Sequence, residues 1–489
     1  MTRVSRRQFL STTAAAGVAA TILPYHRAYG ANEDIRVGVV GFNGQGRTHI
    51  NILSKTPGVR VVALCDVDSK VLNAQADAME KKGNGVKIAR YQDVRKMLEN
   101  KELDAVTTAS PNHWHALVTY WACQAGKDVY VEKPCTHVVS EGPIILKAAR
   151  DNKRIVQHGT QSRSDLGLKE AFEYIRKGEL GKMLWVKGFC YKPRASIGKV
   201  TQPTPVPETI DYDLWCGPAP KEPLMRKRLH YDWHWVWPTG NGDIGNQGVH
   251  EMDMCRWALG QDGLPPRVMS FGGRFVVDDD ATTPNTLVAW YDYKPVPMIF
   301  EVRGLPRKTS DDPKNFHKAQ MDNYRGIRIG LVVQCENGYF AGGSGGGWVY
   351  DKDNKKVKQF KGGQGGEHIP NWIKAVRSRK IEDLNADIAV GVPSAALCHL
   401  GNIPYRAGQD VPPEEIKEIT KGNKAATESC EQFLAHLEAN GVDPKKTKPT
   451  MGGWLELDPS GSKFTAPSPV ADKATALLTR EYRKPFVMP

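Results

Sequence analysis

The stretch Ile35-Arg36-Val37-Gly38-Val39-Val40-Gly41-Phe42-Asn43-Gly44-Gln45-Gly46-Arg47-Thr48-His49 decides the fold. An apolar, β-branched run breaks at a glycine turn and reopens as a helix, the pattern of a buried parallel strand entering a βαβ unit. Such a turn holds a dinucleotide because phosphate oxygens need backbone N–H groups at a helix N-terminus, and only small residues let the backbone come close. The glycines are Gly41, Gly44 and Gly46, spaced G-x-x-G-x-G rather than G-x-G-x-x-G. Asn43 stands where the second glycine of the common fingerprint falls; it tolerates left-handed backbone but carries a side chain near the pyrophosphate. With Gln45 these residues form the expected phosphate turn.

A second run, Val59 to Cys65, ends in Asp66, which follows Gly41 by 25 residues, near the roughly 20 that places an acid on the ribose. A carboxylate there accepts from the adenosine ribose hydroxyls and repels a 2′-phosphate, so NAD is expected over NADP. The competing reading of these two features is a glycine turn in some other α/β sheet, with Asp66 as a loop acid.

Strand-like and helix-like segments then alternate to about residue 155: a helix over Ser69–Lys82, a strand over 87–91, a helix over Asp93–Glu99, a strand over 103–109 and a helix over Ala116–Ala125. This alternation predicts a doubly wound parallel sheet with ligand groups at the carboxyl ends of its strands. Asn112 and His115 follow one such strand, and Glu132-Lys133-Pro134 follows the next, Asp128–Val131.

The E-K-P tripeptide behind this alternation resembles the glucose-fructose oxidoreductase/inositol dehydrogenase/MocA family of NAD(P)-dependent oxidoreductases. The resemblance runs from about Ile35 to about Gly408. It implies a Rossmann domain followed by an α+β domain on an open, mostly antiparallel sheet, with Lys133 as the active-site cation and Pro134 in cis. It also implies a homo-oligomer, a dimer or tetramer joined through the open sheet. A later segment, Asp243-Ile244-Gly245-Asn246-Gln247-Gly248-Val249-His250-Glu251-Met252-Asp253, resembles the family's D-x-G-x-H-x-x-D, in which the histidine is the acid/base; His250 matches. Asn246 replaces the assisting aspartate and cannot orient an imidazole by charge, so either Asp243 supplies that charge or the chemistry departs from simple alcohol oxidation. Asp253 reads as structural.

Between these motifs the pattern changes. A connection begins at Val156 and carries Arg163, a candidate substrate contact; a helix is expected over Asp165–Lys177 and a strand over Met183–Tyr191. The segment 192–238 is rich in Pro, Trp and His. Its aromatic content argues against disorder, and aromatic faces stack on sugar rings, so it reads as a substrate lid bearing His234 and Trp235 or as a loop packed on the core. Short strands follow to about Tyr350. The glycine run 342–347 reads as a hairpin connection, because no Lys-Ser/Thr follows it. Helices are expected over 368–376 and 390–401; beyond Gly408 no motif is legible.

The net charge of +13 includes Arg3, Arg6, Arg7 and Arg27 in a stretch of 30 residues without acids. No long basic run follows, which argues against nucleic-acid binding. Ser5-Arg6-Arg7-Gln8-Phe9-Leu10, the alanine-rich run after it and Ala28-Tyr29-Gly30 resemble a twin-arginine signal cleaved before Ala31, which implies export of a folded protein to the periplasm. No stretch is apolar and long enough for a comfortable membrane span. Folding before export leaves the nine scattered cysteines as buried thiols. No H-E-x-x-H metal motif is present.

The expected organisation is a signal over 1–30, a Rossmann domain over 31–155, a substrate and oligomerisation domain over 156–410 and a helical, irregular extension over 411–489. The expected activity is oxidation or reduction of a sugar or cyclitol hydroxyl with NAD. Two alternatives stand beside it: hydrolysis or elimination of a glycoside through a transient keto-sugar on tightly bound NAD, and sugar binding without catalysis around a structural nucleotide.

Overall fold

The computed structural model describes residues 33–83, 85, 87–309, 319–465 and 470–489. The expected export signal and its cleavage site lie outside the described residues.

Six strands form the first sheet: β1 (Ile35–Val40), β2 (Val59–Cys65), β3 (Ala89–Tyr91), β4 (Ala105–Thr108), β5 (Asp128–Val131) and β6 (Val156–His158). They lie in the order β3-β2-β1-β4-β5-β6, every pair parallel. Helices α1 (Gln45–Leu53), α2 (Ser69–Lys82), α3 (Val94–Leu98), α4 (Asn112–Gln124) and α5 (Glu141–Asp151) connect the strands. With helices on both faces the central strands are buried along nearly their whole length: Val37, Val39, Ala105 and Val106 are completely buried. Asp68 starts α2 by accepting from the Lys70 N–H at 3.0 Å.

The second unit begins with α6 (Leu166–Arg176) and contains a ten-stranded sheet in the order β14-β13-β12-β11-β7-β10-β9-β8-β16-β15. Its strands are β7 (Met183–Tyr191), β8 (Arg267–Gly273), β9 (Thr286–Tyr291), β10 (Met298–Arg303), β11 (Ile329–Cys335), β12 (Gly338–Gly343), β13 (Gly346–Asp351), β14 (Lys356–Lys361), β15 (Gln409–Asp410) and β16 (Thr450–Glu456). Only the β7–β10 pair is parallel. Helices α7 (Gly242–Asn246), α8 (Gly248–Leu259), α9 (His368–Ser378) and α10 (Ile388–Ala407) follow in the chain, then α11 (Pro413–Thr420) and α12 (Lys424–Ala439). Helix α10 joins the two units: Ile388 and Ala395 enter the core of the first, Leu397, Leu400 and Ile403 that of the second.

Two boundaries differ from the sequence reading. Strand β6 lies beyond the expected division at residue 155 yet pairs with β5, because its all-buried Val156-Gln157-His158 completes the parallel sheet. Residues 411–489 are no appendage either. Strand β16 pairs with β8, and α11 and α12 cover the outer face of β8–β10, where Phe433 meets Phe271 edge-on at 5.1 Å. The chain's own helices therefore occupy part of the sheet face that the resemblance assigns to subunit contact. The glycine run 342–347 lies in the β12–β13 hairpin, and all nine cysteines are buried thiols. Among the described residues no helix is long and apolar enough to cross a membrane.

Several histidines are interior. Burial lowers His158 and His399 to about 3 and His368 to about 4, against an ordinary value of about 6.5. The unfolded chain therefore binds more protons than the folded one between those values, so stability rises with pH there and falls as pH drops below about 6.5. Glu251, raised to about 8 by burial, acts in the opposite sense, as one group against several. The urea midpoint is accordingly expected to be lower at pH 5 than at pH 7; an equal or higher midpoint at pH 5 contradicts the neutral burial of these rings.

Candidate active site

A cavity of about 620 Å³ lies between the two units, at the carboxyl ends of β1, β2, β4 and β5. Its size is that of a ligand site. The glycine turn forms its floor. Gly41 has φ +70, and a Cβ there would meet the Ser110 backbone at 2.8 Å. Gly46, in the first turn of α1, faces inward: its Cβ would lie 2.2 Å from the Gly41 carbonyl oxygen. Gly44 is different, since an added Cβ meets nothing within 4 Å and the residue borders the cavity. The turn is thus closed on the protein side and bare on the side a phosphate approaches. Asn43 and Gln45 border the same space; the Asn43 Oδ1 accepts from Arg47 at 3.2 Å.

Asp66 lies at the wall, buried, with Oδ2 accepting from the Phe42 N–H and Oδ1 from the Asp68 N–H, both at 3.1 Å. Burial raises its pKa, and these two backbone donors oppose that. At the β4 end the helix starts four residues earlier than expected, at Asn112, because Pro111 caps it and lacks the N–H that a first turn leaves unpaired. His115 therefore sits one turn inside α4 and not on a loop. Its Nδ1 pairs with the Pro134 carbonyl at 2.7 Å, and its Nε2, buried at the wall, has no protein partner. Asn112 also borders the cavity, held by the Asn241 Oδ1 at 3.1 Å.

Strand β5 delivers Glu132 and Lys133. Glu132 is buried; Oε1 takes His49 Nε2 at 3.0 Å, Gln161 at 3.3 Å and Gln45 at 3.4 Å. Burial pushes this carboxyl up, but the His49 hydrogen bond and the charges of His49 and Lys133 outweigh it and leave it at about 2. The Lys133–Pro134 peptide is cis. The Lys133 ammonium donates to the Asn246 carbonyl across the gap between the units. Burial lowers its pKa, against the neighbouring charge of Glu132.

From the second unit, α8 presents His250, half-buried at the wall, whose ring makes no hydrogen bond to the described residues. Burial and then the Lys133 charge lower it to about 3, so the imidazole is neutral at pH 7. Asn246 borders the cavity without bonding to that ring. Asp243 does not reach it: buried away from the wall, it pairs with Arg194 and accepts weakly from the Cys190 thiol at 3.6 Å. Among the described residues no carboxylate is hydrogen-bonded to His250.

Two expected substrate contacts also lie off the wall. Arg163 is engaged in a fork to Asp253, both bonds at 2.8 Å, which is why Asp253 is structural. Trp235 packs with Ile197 and Ala281, under the Arg194 guanidinium. His234 does border the cavity, stacked on Trp233 at 3.6 Å. The sequence reading did not single out Gln161, His368 and His230 as wall residues; Trp215, one of the aromatics of the expected lid, also borders the cavity. Of these only Trp215 and His230 carried a signal, through the aromatic segment, and they lie beside Val67 near the Asp66 end rather than over His250.

The bare Gly44, the acid at the end of β2, the unpartnered His115 Nε2 and the room between them fit a dinucleotide, and fold and cavity define an NAD-binding oxidoreductase of the Rossmann type. Residues 35–160 match the family model described as "Oxidoreductase family, NAD-binding Rossmann fold". Residues 175–293 match "Oxidoreductase family, C-terminal alpha/beta domain". The chain belongs to this Gfo/Idh/MocA family of oxidoreductases. It is 30% identical to the inositol 2-dehydrogenase of Salmonella typhimurium strain LT2 over 182 residues, 37% of this chain and 52% of that protein. It is 26% identical to the rhizopine catabolism protein MocA of Rhizobium meliloti over 250 residues, 50% of this chain and 65% of that one. The chain thus spans about half the length of the inositol dehydrogenases it matches. In fold it is similar to the WlbA dehydrogenase from Bordetella pertussis, solved with NADH and UDP-GlcNAcA: TM-score 0.54, 18% identity, covering 76% of this chain and 95% of that one.

The turn can be tested with two alanines. Gly46→Ala forces main chain apart and is expected to lower the melting temperature by several degrees (about 2–4 °C per kcal/mol). Gly44→Ala is expected to keep the wild-type melting temperature while weakening NAD binding on the order of tenfold, because the methyl stands where phosphate meets the backbone. Unchanged NAD affinity in Gly44→Ala contradicts a pyrophosphate over this turn.

Proposed function

We propose that the chain oxidises, and in reverse reduces, a secondary hydroxyl of a sugar or cyclitol, with His250 as the base and Lys133 as the cation at the reacting oxygen. The observation that carries this reading is the pairing of a neutral imidazole without a protein partner and a desolvated ammonium on one wall, above the glycine turn. Bound NAD supplies the hydride acceptor. His250, neutral at pH 7, takes the hydroxyl proton. Lys133 has three N–H donors and gives one to Asn246, so others remain to hydrogen-bond the oxygen as its negative charge grows. The charge of Glu132 opposes the burial that lowers the Lys133 pKa, and Glu132 is itself held by His49 and the two glutamines. The inositol dehydrogenase relatives and the sugar nucleotide bound to WlbA support the substrate class.

One observation favours a second reading: among the described residues no carboxylate is hydrogen-bonded to His250, and Asn246 stands where the resemblance puts an acid. In that reading a glycoside is oxidised transiently to a keto-sugar, loses its substituent, takes up water and is reduced again, so free sugar appears without consumption of an external acceptor. We also propose export to the periplasm, on the strength of the Ser5–Leu10 stretch.

The test is turnover and NAD binding in the mature protein, whose first residue is expected to be Ala31. Lys133→Met and His250→Gln are each expected to lower kcat by about 100-fold or more, with NAD still bound. Wild-type turnover in either variant contradicts the assigned role.

A further inference from the structure

The segment 192–241 leaves the second sheet at the end of β7, crosses the cavity and returns to α7. On the near side it is tied to the end of β2. The Asp211 N–H donates to the Val67 carbonyl at 3.0 Å, the Ser69 N–H to the Thr209 carbonyl at 2.8 Å, and His230 Nε2 meets Asp68 Oδ2 at 3.1 Å. On the far side it is tied to α4, where the Trp215 carbonyl takes Trp114 Nε1 at 3.2 Å and His113 Nε2 at 3.0 Å. Strand β1 lies between β2 and β4. The two sets of ties therefore straddle the glycine turn, and Leu214, Trp215, His230 and Trp233 form a roof over the cavity.

The roof is in turn held from outside by the end of the chain. Arg483 donates through Nε to the Gly217 carbonyl at 3.0 Å, through Nη2 to the Asp213 carbonyl at 2.7 Å and through Nη1 to Asp213 Oδ1 at 2.8 Å. Gly217, with φ +51, lies flat on Trp114: an added Cβ would be 2.3 Å from the indole ring. The residues around Arg483 are anchored on the first unit. Phe486, 1% exposed, meets Trp114 edge-on at 5.5 Å and carries the Arg95 guanidinium at 4.9 Å. Arg480 donates to the His113 carbonyl at 2.8 Å and pairs with Glu141 at 2.7 Å.

We propose that residues 480–488 are a latch, acting through Arg483, on a strap that slows the departure of NAD from its site. A dinucleotide whose pyrophosphate rests on the glycine turn is covered by 210–234, so it leaves only when the strap parts from β2 and α4. The latch holds the strap at 213–219, between those two lines of contact, and thereby sets how often it opens. Arg483 touches neither the cavity nor any group proposed to react; it is a positioning residue. The inference rests on the nucleotide site and not on the assignment of His250 and Lys133.

The test is exchange of bound NAD in the full chain, with no substrate present. Protein carrying NAD is mixed with excess isotopically labelled NAD, passed through a desalting column at intervals and denatured, and the released nucleotide is weighed by mass spectrometry. Wild-type protein is expected to retain close to one nucleotide per chain through desalting and to exchange it over minutes or longer. Arg483→Ala removes the side-chain hydrogen bonds to Asp213, Gly217 and Ala219 and is expected to speed exchange on the order of tenfold. Asp213→Asn, a change at a half-exposed side chain that spares the fold, is expected to speed it less and to add nothing in the double variant. Melting temperature, read in parallel, separates a loosened latch from a loosened fold. Exchange complete within seconds in the wild type overturns the proposal, as does wild-type exchange in the folded variants. Neither result bears on the chemistry, which is read from turnover of Lys133→Met and His250→Gln.

Discussion

The structure depends on a desolvated ammonium shared between two units. Lys133 leaves the end of β5, beside a glutamate whose charge opposes the effect of burial on it, and its bond to the Asn246 carbonyl is made to the other unit. That contact fixes the end of α7 against the first sheet, and α8, which follows at once, then carries His250 to the same wall. A charge removed from water is costly unless it is paired and hydrogen-bonded. Here the neighbouring negative charge comes from one unit and the hydrogen bond from the other, so the arrangement that makes the cation tolerable also assembles the site.

Much of the fold was legible because its determinants are local. The first two parallel strands are rich in β-branched apolar residues, and the expected helix over Ser69–Lys82 and strand over Met183–Tyr191 coincide with the observed elements. The glycine turn was legible for the same reason, since close approach of backbone to phosphate needs small residues wherever it occurs. The start of α4 was misplaced because the Ser110-Pro111-Asn112 stretch reads as a turn, although a proline at a helix start is compatible with the first turn.

What was not legible is pairing across the chain. Arg163 and Asp243 carry the charges an active site uses, and only the folded structure shows that their partners are Asp253 and Arg194. Trp235 has the aromatic face that suits a sugar, yet the Arg194 guanidinium covers it. Conversely Gln161 has no local signal, and it reaches Glu132 because β6 extends the first sheet past the expected boundary. The last eighty residues showed no motif because their role is to cover: α11 and α12 close one face of the second sheet, and Phe486 and Met488 complete the core of the first.

The most direct measurement is a crystal structure of the protein with NAD bound. The account predicts the adenosine ribose at Asp66, the pyrophosphate over Gly44 and the nicotinamide ring beside Lys133, with His250 facing it across the space left for a hydroxyl-bearing carbon. A nicotinamide bound at the Asp66 end, or a dinucleotide that leaves Lys133 and His250 on opposite sides of an intervening wall, would contradict it.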